Sequence, residues 1–104
     1  MKGFEKVAQR SEVVPGTLKL VETQGEQILL TELGGDVIAF SNICTDDFCD
    51  LVGSEIDQFE EIECDCHGSR FKVRTGEVTQ PPAMVPLPVY TVRIEGDEVF
   101  VGPA

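Results

Sequence analysis

The sequence predicts an all-β single domain, on three observations. Short runs rich in β-branched and aromatic residues are punctuated by Gly, Asp and Pro. No window of a dozen residues sets its apolar side chains at helical spacing. The chain of 104 residues has room for one modest core, and not for a second domain carrying its own cofactor fold. The expected unit is therefore the whole chain, 1–104.

The elements follow in order. Residues 4–8 read as a first strand, and residues 17–21 as a second that ends before Gln24-Gly25. Residues 27–31 form a third run leading into Gly34-Gly35-Asp36, a hairpin-turn signal, after which residues 37–40 resume. Near the other end residues 89–94 alternate sides, Glu95-Gly96-Asp97 turns the chain, and residues 99–101 return. These are meandering antiparallel strands. The long stretch without strand character, residues 41–57, is expected to project as a functional loop from the β scaffold. The pattern alone also suits a biotinyl carrier domain or an SH3-like barrel.

Composition narrows the partners. Nineteen acids against eight bases give a net charge of −11, which opposes binding to nucleic acid or an anionic membrane. It suits a protein that docks on a basic surface, and equally one that is simply well solvated. The first residues, MKGFEKVAQRSE, contain no apolar run long enough for a signal peptide or a membrane span, so the expected location is the cytoplasm. Four cysteines there point to metal or redox chemistry before a disulfide scaffold. All four lie between residues 44 and 66.

Two segments carry that chemistry: Cys44-Thr45-Asp46-Asp47-Phe48-Cys49 and Cys64-Asp65-Cys66-His67-Gly68-Ser69. Two residues separate Cys64 from His67, so one tight loop can aim a thiolate and an imidazole at one metal site. His67 is the chain's one histidine; alone it reads as a surface residue, but between Cys66 and Gly68 it reads as a ligand. A structural zinc site, which takes four Cys or His ligands, is an alternative drawn from Cys44, Cys49, Cys64, Cys66 and His67. Zinc ribbons, however, use paired Cys-x-x-Cys knuckles, and neither loop has that spacing.

The pair of loops resembles the Rieske proteins, which carry Cys-x-His, a long spacer and Cys-x-x-His. In that family the cysteines hold one iron of a [2Fe–2S] cluster and the histidines the other. Cys44-x-Asp46 and Cys64-x-x-His67 reproduce the frame. The resemblance implies a stack of antiparallel sheets bearing two cluster-binding loops. It implies that Cys44 and Cys64 bind the inner iron. It also implies that Cys49 and Cys66, at the positions of an extra cysteine pair in some members, form a disulfide between the loops; free thiols or substitute ligands are the other readings. Ser69 matches a serine that donates to a bridging sulfide, and Phe71 stands where some members have tyrosine. Residues 71–78, the segment Pro81-Pro82-Ala83 and residues 87–101 resemble the corresponding parts of bacterial Rieske ferredoxins, the prolines shielding the cluster. The implied function is single-electron transfer by a soluble ferredoxin between a flavin reductase and a terminal oxygenase, with no catalysis of its own. A cluster-poor module like the small subunit of some nitrite reductases is the rival.

Asp46 departs from the frame, since no second histidine exists. Three readings stand: Asp46 ligates iron through a carboxylate oxygen, a harder donor that iron accepts; solvent or a nearby residue completes a labile site; or no [2Fe–2S] cluster is held. Asp is shorter than His, so the first reading requires the loop to move inward. Residues 46–65 hold nine acids (Asp46, Asp47, Asp50, Glu55, Asp57, Glu60, Glu61, Glu63 and Asp65) and no Lys or Arg. That surplus is expected to oppose the uptake of an electron.

Overall fold

The third strand explains the architecture, because both its faces are buried. In the computed structural model, which describes residues 3–103, the strands are β1 (Glu5–Gln9), β2 (Lys19–Thr23), β3 (Glu26–Leu33), β4 (Asp36–Ser41), β5 (Glu61–Glu63), β6 (Arg70–Lys72), β7 (Val78–Gln80), β8 (Val89–Glu95) and β9 (Glu98–Gly102). The helical content of the described residues is one 3₁₀ turn, Arg10–Glu12. Among the described residues no helix is long and apolar enough to cross a membrane. The all-β expectation holds.

Successive side chains of a strand point to opposite faces, and on β3 and β4 each face meets a different core. Ile28, Leu30 and Ala39 pack with Ala8, Val13, Val99 and Val101. Leu29 and Phe40 face the other way, into a core shared with Cys44, Leu51, Ile62, Cys64, Phe71 and Leu87. This double burial is why Ile28-Leu29-Leu30 is continuously apolar rather than alternating. Burying a side chain the size of Phe40 or Leu29, both fully covered, contributes roughly 1.5–3 kcal/mol. The candidate ligands are therefore part of a core and not appended to it.

Six strands form one antiparallel sheet in the order β1-β9-β8-β4-β3-β2. It bends at β8, which pairs with β4 through Val89 and Tyr90 and with β9 from Thr91 onward. The bend brings the edges together, where Thr23 on β2 donates to Glu5 on β1 at 2.7 Å. The hairpin β2–β3 turns at Gln24 and Gly25, both at positive φ (50° and 80°), as a two-residue type I′ connection requires. That turn fixes Thr23 opposite Glu26, so β2 runs up to it. At its other end the Thr17 amide and hydroxyl both donate to the Val14 carbonyl. This local turn holds residues 14–17 out of the sheet and moves the strand two residues later than the sequence reading.

The second sheet, β5-β6-β7, is the part that the residue pattern concealed. β5 reads Glu-Ile-Glu, with Ile62 its single apolar residue; its ladder is with β6, and Ile62 also bridges Ile56. Two arginines fix this sheet in place. Arg74 donates from Nε to Glu60 (2.8 Å), from Nη1 to Asp36 (3.1 Å) and from Nη2 to the Leu33 carbonyl (2.9 Å), tying it to the β3–β4 turn. Arg70 reaches Asp57, Glu61 and Glu63. Four of the nine acids between residues 46 and 65 are thus paired with arginines that follow in sequence, so the local negative charge is smaller than the run suggests.

The chain returns from β7 to β8 along a strap, residues 81–88, seated on the β6–β7 turn. The Leu87 amide donates to the Gly76 carbonyl at 2.8 Å, and Gly76 is at φ +83°, where a Cβ would lie 2.0 Å from the Leu87 oxygen. Gly16 shares the positive φ but faces open space. Urea denaturation should show about 1–3 kcal/mol lost for Gly16→Ala, the cost of a left-handed non-glycine residue. Gly76→Ala should lose clearly more, because the strap must also move.

Candidate metal centre

The two cysteine loops have the same backbone. Ile43 bridges Asp50 and encloses residues 44–49, while Glu63 pairs with Arg70 and encloses residues 64–69. In the first loop the Cys44 amide donates to the Cys49 carbonyl (2.9 Å) and the Phe48 amide to the Cys44 carbonyl (3.0 Å). In the second the Cys64 amide donates to the Ser69 carbonyl (2.8 Å) and the Gly68 amide to the Cys64 carbonyl (2.9 Å). Each loop turns on a fifth residue at positive φ, Phe48 (60°) and Gly68 (80°). Glycine adopts that conformation freely, whereas Phe48 does so with its ring 76% exposed.

Neighbouring groups hold the loops in position. Asn42, fully buried, accepts from the Leu51 amide and donates to Gln27, anchoring the first loop to β3. Thr45 donates to the Val85 carbonyl at 2.7 Å, and Gln80 donates to the Gly68 carbonyl at 2.6 Å. A Cys49–Cys66 disulfide joins the loops, with Cα atoms 6.6 Å apart. This is the pairing that the resemblance implied.

Cys44 and Cys64 are free thiols, both fully buried. Burial pushes the Cys64 thiol up to about 12, helped by the Cys44 thiol and the Asp47 carboxylate against the Cys66 amide. A metal arriving there has to displace a proton. The His67 ring is exposed over 61% of its side chain, and its Nδ1 lies 3.2 Å from Asp46 Oδ2 and 3.0 Å from Asp47 Oδ2. Asp47, which the sequence reading left among the acids, lies deeper, at 10% side-chain exposure against 23% for Asp46. It accepts the Cys49 amide at 3.0 Å and the Cys64 thiol at 3.4 and 3.5 Å. The Cys49 amide holds the Asp47 carboxyl below its ordinary value despite partial burial, with help from the Cys64 and Cys44 thiols and His67.

Ser69 is fully buried, and its hydroxyl oxygen accepts from the Ala83 amide at 2.9 Å. No acceptor for its proton is found among the described residues. Ala83 shares the core that holds Cys44 and Cys64, and the strap is tied to both loops through the Ala83 amide on Ser69 and the Val85 carbonyl on Thr45. Paired buried thiols, an imidazole, a carboxylate and a buried hydroxyl with a proton to give are a donor set that an iron–sulfur cluster fits.

Residues 3–91 match the Rieske [2Fe–2S] domain model, and the chain belongs to that family. It is 34% identical to the biphenyl dioxygenase ferredoxin subunit of Pseudomonas sp. strain KKS102, over 94% of this chain and 90% of that one. The cytochrome b6-f complex iron-sulfur subunit of Chlorobaculum thiosulfatiphilum is 35% identical over 94% of this chain, which spans 52% of that longer protein. The solved ferredoxin of carbazole 1,9a-dioxygenase from Nocardioides aromaticivorans IC177 superposes with a TM-score of 0.88 at 31% identity, covering 99% of this chain and all of that one. A solved complex of reduced oxygenase and oxidized ferredoxin in carbazole 1,9a-dioxygenase contains a chain that matches at TM-score 0.83 and 32% identity, covering 94% and 91%. The cofactor is a [2Fe–2S] cluster, and the chain is an electron carrier rather than an enzyme.

The disulfide closes the gap between loops 17 residues apart in sequence. Replacing both cysteines (Cys49→Ser with Cys66→Ser) should lower unfolding free energy by about 2–4 kcal/mol in the chain-entropy account. Urea titration of the two proteins without reductant measures it; equal midpoints would show that hydrogen bonding alone holds the loops together.

Proposed function

We propose that the chain shuttles single electrons from a flavin reductase to a terminal oxygenase in the cytoplasm. Its cluster is held by Cys44 and Cys64 on one iron and His67 on the other. A carboxylate of the first loop, Asp46 in the family frame, completes the set, and Ser69 donates to a sulfide. The observation carrying this reading is the pair of buried thiols at equivalent places in two loops that a disulfide locks together.

When bound, the cluster stores one electron and releases it. The residues around it set how readily. Exchanging neutral imidazole for an anionic carboxylate favours the oxidised state, because an added electron meets a negative ligand. Asp57, Glu61, Glu63 and Glu60 contribute less than their number suggests, since Arg70 and Arg74 pair with them. With one histidine at the site, proton uptake couples weakly to reduction.

The partner reading rests on the ferredoxin–oxygenase complex among the solved relatives and on this chain's own surface. Phe48 on the first loop and Met84 and Val85 on the strap are exposed at 76%, 91% and 59%, and His67 on the second loop is exposed as well. The net charge of −11 favours an oxygenase or reductase with a basic docking face, at rates that fall as salt rises.

Protein reconstituted anaerobically should be red-brown, with about two irons and two sulfides per chain, as a [2Fe–2S] centre requires. Colourless protein holding zinc or no metal would favour the structural-zinc or cluster-poor alternatives. Asp46→His, which restores the second imidazole, should raise the midpoint potential toward the Rieske range of about −150 to +300 mV and steepen its pH dependence. A redox titration giving the variant an equal or lower potential removes the carboxylate argument.

A further inference from the structure

We propose that a cleft between the two sheets, with Thr31 at its floor, binds a neutral single-ring molecule carrying one hydroxyl, a ligand of the phenol class. The cleft lies outside the two cysteine loops, and nothing in it depends on how a cluster is held.

Strand alternation puts the floor in place. Leu29, Thr31 and Leu33 share one face of β3, the face that looks toward Ile62 and Phe71 of the small sheet. Leu29 is sealed in the core there, while Leu33 packs at its margin. Between them Thr31 is 1% exposed and lines the cleft, and its hydroxyl has no hydrogen-bond partner among the described residues. A buried hydroxyl left unpaired is destabilising, and valine would fill the same volume without that cost. The hydroxyl adds nothing to the fold that valine would not, and it is available to a guest.

The walls define that guest. Leu18, Leu33, Val52 and Ile56 line the sides, so the body that fits them is apolar. The cleft holds about 340 Å³, against roughly 150 Å³ for an apolar cavity that takes up benzene. One ring with a hydroxyl and a short substituent fits. A mostly apolar hollow with a few placed polar groups is the usual form of a small-molecule site. Charge excludes the alternatives. Glu55 and Asp57 stand at one side in a chain of net charge −11, which turns away a carboxylate. An ammonium reaching Thr31 would surrender its water for a single hydroxyl. A neutral hydroxyl loses far less, and it pairs with Thr31 in either sense because each can donate or accept.

Both sides hold the cleft open. On one, Ser54 donates to the Glu63 carbonyl at 2.9 Å, Ile56 bridges Ile62, and Asp57 accepts the Phe59 amide at 2.8 Å. Residues 52–57 are thus tied to the small sheet and not folded onto β3. On the other, the turn at residues 14–17 carries Gly16 along the cleft, where a Cβ would meet nothing within 4 Å. The site is formed before a ligand arrives.

The test titrates phenol, toluene and benzoate separately into the full isotope-labelled chain in its oxidised form, following the backbone amide resonances. Phenol should bind saturably and shift the amides of Thr31, Leu33, Val52, Ser54 and Ile56. Toluene, which lacks the oxygen, should bind about ten-fold more weakly, the scale of one hydrogen bond to an otherwise unpaired group. Benzoate should not bind. Thr31→Val should close the gap between phenol and toluene, and Thr31→Ser should keep it; a merely structural threonine would produce neither result. Without ligand, Thr31→Val should unfold at a higher urea concentration than the unaltered chain. Equal affinities for phenol and toluene in the unaltered chain would overturn the proposal, as would no saturable shift with phenol. Shifts confined to Phe48, Met84 and Val85 would also overturn it, since they mark attachment to exposed apolar surface. So would a less stable Thr31→Val chain, which would show the hydroxyl already satisfied. None of these outcomes bears on iron content, so failure here leaves the cluster reading standing.

Discussion

The close packing of two six-residue loops around a pair of buried thiols is the constraint on which the rest of the structure depends. Cys44 and Cys64 are fully covered, and each opens a loop whose backbone closes on itself through the same two hydrogen bonds. Neutral thiols bury readily but then give up their protons reluctantly, and a rigid loop pair keeps both aimed at one point. The disulfide, the Asn42 anchor and the strap at Ala83 supply that rigidity from three directions. The large sheet provides a platform: Leu29 and Phe40 form the floor of the core in which the thiols sit.

Charge is arranged around the same point. The chain is strongly acidic, yet the acids nearest the small sheet are paired with Arg70 and Arg74. Those pairs have a mechanical role, since the sheet carrying the second loop has just nine strand residues and one apolar side of its own. Exposed ion pairs add little stability singly, but Arg74 spans three partners, including a backbone carbonyl on the β3–β4 turn. The outcome is a loop pair whose position relative to the platform is set by directed bonds as well as by apolar packing.

Much of the scaffold was legible. Strands β3, β4, β8 and β9 announce themselves through apolar runs bounded by Gln24-Gly25, Gly34-Gly35 and Gly96, where the turn chemistry is local and a two-residue connection dictates register. β5 was not, because a Glu-Ile-Glu segment becomes a strand through its pairing with β6 and not through its own preference. The start of β2 was misjudged for a similar reason: a side-chain turn at Thr17 competes with the sheet for residues that would otherwise extend it. Of the residues that the structure brings together in the two loops, Cys44, Cys64, His67 and Ser69 stand out in the sequence, and the Cys49–Cys66 pairing was implied by the resemblance.

By itself the sequence determined the all-β class, the two-loop frame, the thiols and imidazole available to a cluster, and the absence of a second histidine. These follow from residue identity and spacing, which tertiary structure cannot alter. Only the folded chain decided which acids are neutralised by arginines, what covers the loops, and that Asp47 lies deeper among the thiols than Asp46. Adjacent residues of a loop point in different directions, and which one turns inward depends on how the whole loop is clamped. Spacing along the chain carries no information about that orientation, whereas the side-chain exposures of the two acids in the folded loop do.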